Sequence, residues 1–460
     1  MKFFRLLLWL ILLSGSFASA ADRPNIVYIL ADDLGWTDLA CQGSKYYETP
    51  NIDRLAKQGI RFTRYYNCQN CAPTRAVLMS GRYPPRTGIY TVSTLERGQP
   101  SDRKMNVPRN EINLPLDIPI LPQALKQAGY ATAMFGKWHL GQQGQYHPSQ
   151  RGFDAALVSA GKHFDFETSP PVAVPQGTYL ADYLTDRAVD FIQRHKDKPF
   201  FLYLPHFGVH TPYQAKPDYI ARWKQKPPAG THFDPVYAAM IQSVDESVGK
   251  ILATLDQLKL ADNTVVIFSS DNGGVGGYQS TEPPGPKPVP TDNAPLKGGK
   301  GTLYEGGLRV PFIVRWPGVT PPEATCDTPV AHIDIYPTLI DIAHAARPNN
   351  AILDGVSFLP LLRDPHATLN RPAIYWHFPG YLESYVSKTG WRTTPVGAIH
   401  AGDWKLLQFF EDNHVELYNL TDDIGEKHNL AAQSPEKAKE LLTLLAAWRK
   451  EIHAAMPTLK

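Results

Sequence analysis

Short runs of apolar residues recur along the chain, and most of them contain β-branched or aromatic side chains. Five such runs lie at residues 25–30, 130–135, 199–204, 264–268 and 312–315. Continuous apolar runs of this length predict strands that are buried on both faces of a sheet. Apolar residues at helical spacing predict helices over residues 116–129, 179–195 and 235–260. Strands that alternate with helices indicate an α/β fold with a doubly wound, mostly parallel sheet flanked by helices.

The pattern changes near residue 365. Short strand-like segments at residues 373–376, 397–399, 404–410 and 416–418 follow one another without long helices. An amphipathic helix comes next, over about residues 435–455. This arrangement indicates a small antiparallel sheet with one helix packed on it. We therefore expect a main domain over residues 21–364 and a C-terminal α+β subdomain over residues 365–460.

The first twenty residues are typical of a secretory signal peptide. Lys2 and Arg5 precede an apolar run at residues 6–13, and Ala18-Ser19-Ala20 provides a small-residue cleavage site. The alternative is a membrane anchor, but this run is much shorter than the ~20 apolar residues that span a bilayer. We therefore expect an exported protein, periplasmic or secreted, with no membrane-spanning segment.

The composition narrows the classes of partner. The chain has 460 residues, 43% of them hydrophobic, and a formal net charge of +2, to which Lys2 and Arg5 contribute two positive charges. The mature chain is then close to neutral, which gives no indication of nucleic-acid binding. The pairing of its cysteines cannot be read from the sequence; they are Cys41, Cys68, Cys71 and Cys326.

Four of the predicted strands are followed by residues that can bind a metal or an anion. In chain order, the four strands are followed by Asp32 and Asp33, by Lys137 and His139, by His210, and by Asp271 and Asn272. Because the carboxyl ends of parallel strands lie at one edge of a sheet, we expect these side chains to form a single site. The oxygen atoms of Asp and Asn favour Ca²⁺ or Mg²⁺ over zinc.

The segment Cys71-Ala-Pro-Thr-Arg75 is the second candidate for chemistry. Pro73 fits the first turn of a short helix that stops at Gly81, which places Cys71 at the helix N-terminus. Free N–H groups and the helix dipole favour an anion there, and Arg75 adds a planar positive charge. Cys68 also makes this segment a C-x-x-C sequence, so a redox pair or half of a zinc site is an alternative.

These motifs together resemble the type I, formylglycine-dependent sulfatases of the alkaline phosphatase superfamily, over about residues 24–430. The cysteine segment resembles the family's C-x-P-x-R signature, with Thr74 where serine is commoner. Gly136-Lys-Trp-His-Leu-Gly141 and Gly299-Lys-Gly-Thr302 also match, and the glycines beside Lys300 allow the backbone to approach an anion. The order of motifs is most similar to bacterial sulfatases related to arylsulfatase A and N-acetylgalactosamine-6-sulfatase.

The resemblance implies an alkaline-phosphatase-like fold and hydrolysis of sulfate esters of a polysaccharide or oligosaccharide by residues 21–364. It implies that a formylglycine-generating or an anaerobic maturation enzyme oxidises Cys71 to formylglycine, whose hydrate is the nucleophile. It implies one Ca²⁺ per chain, bound by Asp32, Asp33, Cys71, Asp271 and Asn272. It implies that Arg75 holds residue 71 and that Lys137 and Lys300 bind the sulfate oxygens. It also implies that His139 deprotonates the hydrate and that His210 protonates the leaving alcohol.

Two other functions are compatible with the same residues. One is a phosphodiesterase or phosphonate monoester hydrolase with this type of site, and the other is a non-catalytic binder of sulfated glycans whose Cys71 is not matured. Outside the motifs, Lys297 is either a substrate contact or a solvated loop residue. His377 and the aromatic segment 375–385 are candidates for the lining of a sugar pocket.

Overall fold

The computed structural model describes residues 23–278, 289–386 and 390–460, so the predicted signal peptide lies outside the described residues. The main sheet has eight strands. They are β1 (Asn25–Ala31), β2 (Ile60–Phe62), β3 (Ala131–Gly136), β4 (Ala155–Val158), β5 (Phe200–Pro205), β6 (Thr264–Ser270), β7 (Phe312–Arg315) and β8 (Ala324–Cys326).

The strands of the main sheet are arranged in the order β8-β2-β7-β6-β1-β5-β3-β4. The five strands from β6 to β4 are mutually parallel, and β1 lies between β6 and β5. β7 runs antiparallel to both of its neighbours, while β2 and β8 are parallel to each other. The prediction of a mostly parallel sheet is therefore confirmed, with one reversed strand.

Helices cover both faces of this sheet, as the doubly wound prediction requires. Every residue of β1 is buried, and its side chains alternate between two hydrophobic clusters, with Tyr28 in one and Ile29 in the other. The first cluster includes residues of α2 (Cys71–Ser80), α4 (Leu121–Gln127), α9 (Ile335–Ile342) and α10 (Leu359–Arg363). The second includes residues of α1 (Pro50–Lys57), α5 (Leu180–Arg194), α6 (Pro217–Trp223) and α7 (Pro235–Gln257).

The long predicted helices are confirmed in α5 and α7, but the helix predicted over residues 116–129 begins later, at Leu121. Two prolines explain this difference. Pro119 disfavours the α conformation for the residue before it, and Pro122 occupies the first turn of α4, where its missing N–H is tolerated.

The C-terminal region forms a four-stranded antiparallel sheet, as predicted. Its strands are β9 (Ile374–Phe378), β10 (Val396–Ala401), β11 (Trp404–Phe409) and β12 (Val415–Asn419), in that order, followed by α11 (Pro435–Glu451). This sheet shares a hydrophobic cluster with Val77 of α2 and with Tyr66, so it packs directly against the region of Cys71. The proposed division at residue 364 stays a prediction.

The remaining elements are short. The helices are α3 (Pro84–Thr87) and α8 (Glu305–Leu308), and the two- and three-residue strands are Tyr65–Tyr66, Met105–Asn106, Val330–Ala331, Leu382–Glu383, Trp391–Thr393 and Thr458–Leu459. Among the described residues, we find no helix with the length and apolar character that crossing a bilayer requires.

Candidate active site

The carboxyl ends of β1, β3, β5 and β6 meet at one edge of the main sheet, beside the N-terminus of α2. A pocket of about 460 Å³ opens at this edge. Five of the predicted site residues line it, namely Cys71, Lys137, His139, His210 and Lys300. Beneath them lie four more, each 1% exposed or less, namely Asp32, Asp33, Asp271 and Asn272. The structure thus brings the predicted residues together in one place.

Buried ion pairs hold the three carboxylates of the site. The pairs are Lys137 Nζ with Asp32 Oδ2 at 2.5 Å, Lys300 Nζ with Asp33 Oδ2 at 2.7 Å, and Arg75 Nη2 with Asp271 Oδ2 at 2.7 Å. Three negative and three positive side chains therefore balance one another. A bound divalent cation would make the site positive, and the site would then attract an anion.

Two buried oxygen atoms in this cluster, Asp32 Oδ1 and Asn272 Oδ1, have no hydrogen-bond partner in the described part of the chain. Leaving such acceptors unpaired costs free energy, and a cation would satisfy them. Ligand atoms of Asp32, Asp271 and Cys71 all lie within 4.8 Å of one another. The carboxylates fit a hard cation such as Ca²⁺, and the amide oxygen of Asn272 adds a further donor of the same kind.

Cys71 is the first residue of α2, as predicted, and its side chain is buried. Burial raises the pKa of the Cys71 thiol, although Lys137 and Lys300 oppose the shift. A buried thiol with a raised pKa is a poor thiolate nucleophile. The unmodified cysteine is therefore unsuited to attack a substrate by itself.

All four cysteines lie in the described part of the chain, and all four are unpaired. Cys68 is buried, and its Sγ lies 3.0 Å from His332 Nε2, instead of bonding to Cys71. The structure therefore gives no support to a redox pair formed by the C-x-x-C sequence.

Arg75 is fully buried and connects three parts of the site. Its Nε and Nη2 donate to Asp271 Oδ2, and its Nη1 donates to the carbonyl oxygen of Lys137 at 2.7 Å. Because all of these contacts are satisfied, Arg75 fixes α2 relative to the ends of β3 and β6.

The chain leaves the extended conformation of β3 in the turn that contains Lys137 and His139. The chain turns at Gly136, where a Cβ atom would lie 1.9 Å from the carbonyl oxygen of Pro205. His139 adopts a left-handed conformation, with φ of 65°. Both predicted side chains nevertheless line the pocket, and Trp138 is buried.

The two histidines of the pocket are held in the neutral form by burial. Burial lowers the pKa of His139 well below its usual range, and Lys137 lowers it further. Burial also lowers the pKa of His210 to about 4, although Asp33 opposes the shift. His139 Nδ1 is buried without a hydrogen-bond partner. His210 Nδ1 lies 2.6 Å from the carbonyl oxygen of Thr211, so Nδ1 carries the proton and Nε2 is an acceptor.

Two weaker candidates from the sequence have structural roles. Lys297 Nζ lies 3.1 Å from the Tyr418 hydroxyl and 4.0 Å from the centre of the Tyr304 ring, outside the pocket. His377 Nε2 bonds to the carbonyl oxygen of Ala455, so the proposal that His377 lines a sugar pocket is wrong. The end of the same aromatic segment, at Tyr385, does line the pocket.

Two arginines of the pocket, Arg97 and Arg392, are not predicted by the sequence. Neither lies in a recognisable motif or follows a strand of the main sheet. Arg392 reaches the pocket from the C-terminal region, and no local pattern reveals such a long-range contact.

Comparison with known proteins gives consistent matches over most of the chain. The family model described as "Sulfatase" matches residues 24–345, and the model described as "N-sulphoglucosamine sulphohydrolase, C-terminal" matches residues 299–452. A protein of Formosa agariphila named "Sulfatase" is 36% identical, over 97% of this chain and 93% of its own. The N-acetylgalactosamine-6-sulfatase of Canis lupus familiaris is 34% identical, over 78% of this chain and 69% of its own.

A solved structure also matches most of this chain. The protein described as "Ps i-CgsB" superposes with a TM-score of 0.77 and 30% sequence identity, over 93% of this chain and 92% of its own. A second structure of that protein is described as a complex with k-i-k-neocarrahexaose.

Proposed function

Because this chain belongs to the sulfatase family, and is a sulfuric ester hydrolase by that membership, we propose that it releases inorganic sulfate from a sulfated polysaccharide or oligosaccharide. The observation that carries this proposal is the cluster around Cys71, with its three buried ion pairs and its two unpartnered oxygen atoms. The relatives named for sulfated sugars support a carbohydrate substrate.

Two groups would complete the site. Asp32, Asp33, Asp271, Asn272 and residue 71 would hold one Ca²⁺, and a maturation enzyme would convert Cys71 to formylglycine. The hydrated aldehyde supplies the nucleophilic hydroxyl that the buried thiol lacks, and the cation supplies positive charge beside the sulfate.

The residues of this chain then divide the remaining work. Lys137 and Lys300 each use one N–H on a carboxylate, so each has further N–H groups to donate to the sulfate oxygens. Arg75 holds Asp271 and the N-terminal turn of α2 in register.

The two histidines suit proton transfer at opposite steps. His139 Nδ1, which is unpartnered, can accept the proton that must leave residue 71. His210 lines the pocket with Nε2 3.6 Å from Asp33 Oδ2. An anionic substrate beside it would raise the pKa of His210, so that it could protonate the leaving alcohol.

The cellular context belongs to the same proposal. The signal-like residues 1–20 support export to the periplasm or the medium. Maturation of Cys71 would require a formylglycine-generating enzyme or an anaerobic equivalent in the producing cell.

The proposal is tested with purified protein whose residue 71 carries the aldehyde. We expect sulfate release from sulfated glycans, measured by ion chromatography, and loss of release when Ca²⁺ is chelated. Phosphate release from phosphodiesters or phosphonate monoesters that exceeds sulfate release would favour the phosphonate hydrolase alternative. Binding of sulfated glycans by the aldehyde-bearing protein without any release would favour a non-catalytic binder.

A further inference from the structure

The short strand Trp391–Thr393 places Arg392 beside Gly301, the residue after Lys300, and both Arg392 and Lys300 line the pocket. Thr393 Oγ1 donates to the carbonyl oxygen of Gly301, the residue after Lys300, at 2.6 Å. Gly301 has a φ of 94°, and a Cβ atom there would lie 2.6 Å from Arg392 Nε. The absence of a side chain at Gly301 thus gives the guanidinium its position in the pocket wall.

The guanidinium of Arg392 is only partly satisfied. Its Nε and Nη1 are buried and have no hydrogen-bond acceptor among the residues that the structure describes. Within residues 23–278, 289–386 and 390–460, no carboxylate forms an ion pair with it. Its guanidinium carbon lies 3.8 Å from the centre of the Tyr385 ring, and the side chain hydrogen-bonds to the hydroxyls of Tyr385 and Tyr278. By contrast Nε, Nη1 and Nη2 of Arg75 all have acceptors, in Asp271 and the carbonyl oxygen of Lys137.

A second arginine adds to the positive charge of the same pocket. Arg97 also lines it, and its Nε is buried without an acceptor, while its Nη2 donates to the carbonyl oxygen of Val92. Glu383, the carboxylate among the described lining residues, accepts a hydrogen bond from the backbone N–H of Gly98. The pocket therefore has more positive charge than one sulfate requires.

The electrostatics of Tyr385 agree with this description. Burial alone would raise the pKa of its hydroxyl, but Arg392 and Lys300 lower the pKa on balance. The tyrosine therefore lies in the positive field of both cations, with one of them belonging to the sulfate site.

We propose that Arg392 binds a second anionic group of the substrate, next to the sulfate that is removed. The group is a second sulfate or a uronate carboxylate, because both present the planar pair of oxygens that a guanidinium binds through two N–H groups. This inference rests on the proposed function and defines its substrate class as a carbohydrate with two neighbouring anions.

Arg392 could instead serve only to hold Tyr385 in place. A purely structural arginine would affect all ligands equally, whereas an anion-binding arginine affects only ligands that carry the second anion. The test therefore compares ligands with and without the second anion, each on the unsubstituted protein and on variants of Arg392.

The probes are N-acetylgalactosamine 6-sulfate, N-acetylgalactosamine 4,6-disulfate, and the disaccharide of glucuronic acid and N-acetylgalactosamine 6-sulfate. Their dissociation constants are measured by calorimetry, with Ca²⁺ present, on protein whose Cys71 is unmodified and which therefore has no turnover. The variants are Arg392→Gln and Arg392→Lys, and the control is Arg194→Gln, which changes an arginine on the exposed face of α5 (71% exposed). Thermal unfolding establishes that each variant is folded.

We expect the second anion to tighten binding by about 10- to 100-fold, and Arg392→Gln to remove this gain without changing the affinity for the monosulfate. Arg392→Lys should keep part of the gain, since it retains the charge but loses the planar fork, and it serves alone if the Gln variant does not fold. A gain for the disulfate identifies a second sulfate as the partner, and a gain for the disaccharide identifies a carboxylate.

The inference is overturned if the second anion does not tighten binding, or if the full gain survives in Arg392→Gln or, where that variant does not fold, in Arg392→Lys. Sulfate release by the matured protein from the same three probes is measured separately. Release with equal affinities would leave the proposed function standing and remove the subsite. A gain in affinity without any release would leave the subsite standing and remove the proposed function.

Discussion

Replacing the buried Lys405 with methionine should destabilise the protein strongly. Lys405 lies in β11 and is 0% exposed, with Nζ 2.9 Å from Glu305 Oε1 and 3.0 Å from Glu426 Oε1. Arg309 Nη1 lies 3.5 Å from Glu305 Oε2, so two cations balance two carboxylates. This network joins the C-terminal sheet to α8, five residues beyond Lys300.

The magnitude follows from the burial of this network. Removing one partner of a buried ion pair typically costs about 3–5 kcal/mol, because a charge is left without compensation. Methionine keeps most of the lysine stem, so the loss reflects charge and not packing. We therefore expect the free energy of unfolding of Lys405→Met to fall by about 3–5 kcal/mol at pH 8.

The loss should be smaller at pH 6, and Glu426 gives the reason. Burial raises the pKa of Glu426 to about 7, even with Lys405 beside it. A raised carboxyl pKa means that its contribution to stability is present at low pH and is lost as the pH rises through about 7. Without Lys405 this pKa rises further, so the folded variant takes up a proton at pH 6 and regains part of its stability.

The assay is urea unfolding followed by fluorescence and circular dichroism at both pH values. The matched control is Lys250→Met, whose lysine is 54% exposed and pairs with Asp186 on the surface. That variant should lose at most about 1 kcal/mol. A free energy of unfolding for Lys405→Met within 1 kcal/mol of the control at both pH values would refute the reasoning.

The site gives three more expected outcomes. Cys71→Ala should abolish sulfate release while its free energy of unfolding changes by about 1 kcal/mol; residual turnover above background would rule out residue 71 as the nucleophile. Lys300→Met should lower kcat/KM by about 10²- to 10³-fold. Lys297→Met, on the same loop but outside the pocket, should change kcat/KM by less than about threefold. Equal losses in the two variants would contradict the role of Lys300 in binding the sulfate oxygens. Chelation of Ca²⁺ should abolish release and lower the midpoint of thermal unfolding, both restored by added Ca²⁺; an unchanged midpoint would speak against a resident cation.

The sequence predicted the parts of the site that follow from local patterns. Asp33, Lys137, His210 and Asp271 each follow a buried apolar run, and parallel strands bring such positions to one edge. That rule was sufficient to place them together, without any knowledge of their individual contacts. The position of Cys71 at a helix N-terminus also followed from local features. Pro73 fits the first turn of α2, and Gly81, in a left-handed conformation, ends the helix.

Other features depend on contacts between distant parts of the chain and left no local signal. β7 reads as a buried strand, but its antiparallel direction depends on its pairing with β2 and β6. Gly136 approaches the carbonyl oxygen of Pro205 closely, and His139 adopts a left-handed conformation. Arg392 enters the pocket because its strand packs on Gly301, 91 positions away, and neither segment predicts the other.

The most direct test of the account is mass spectrometry of the tryptic peptide of residues 65–75, from protein made in a cell that matures sulfatases. The account predicts the mass of an aldehyde in place of the thiol at position 71, together with sulfate release by the same preparation. An unmodified thiol at position 71 in protein that still releases sulfate would contradict the central claim that a matured residue 71 is the nucleophile.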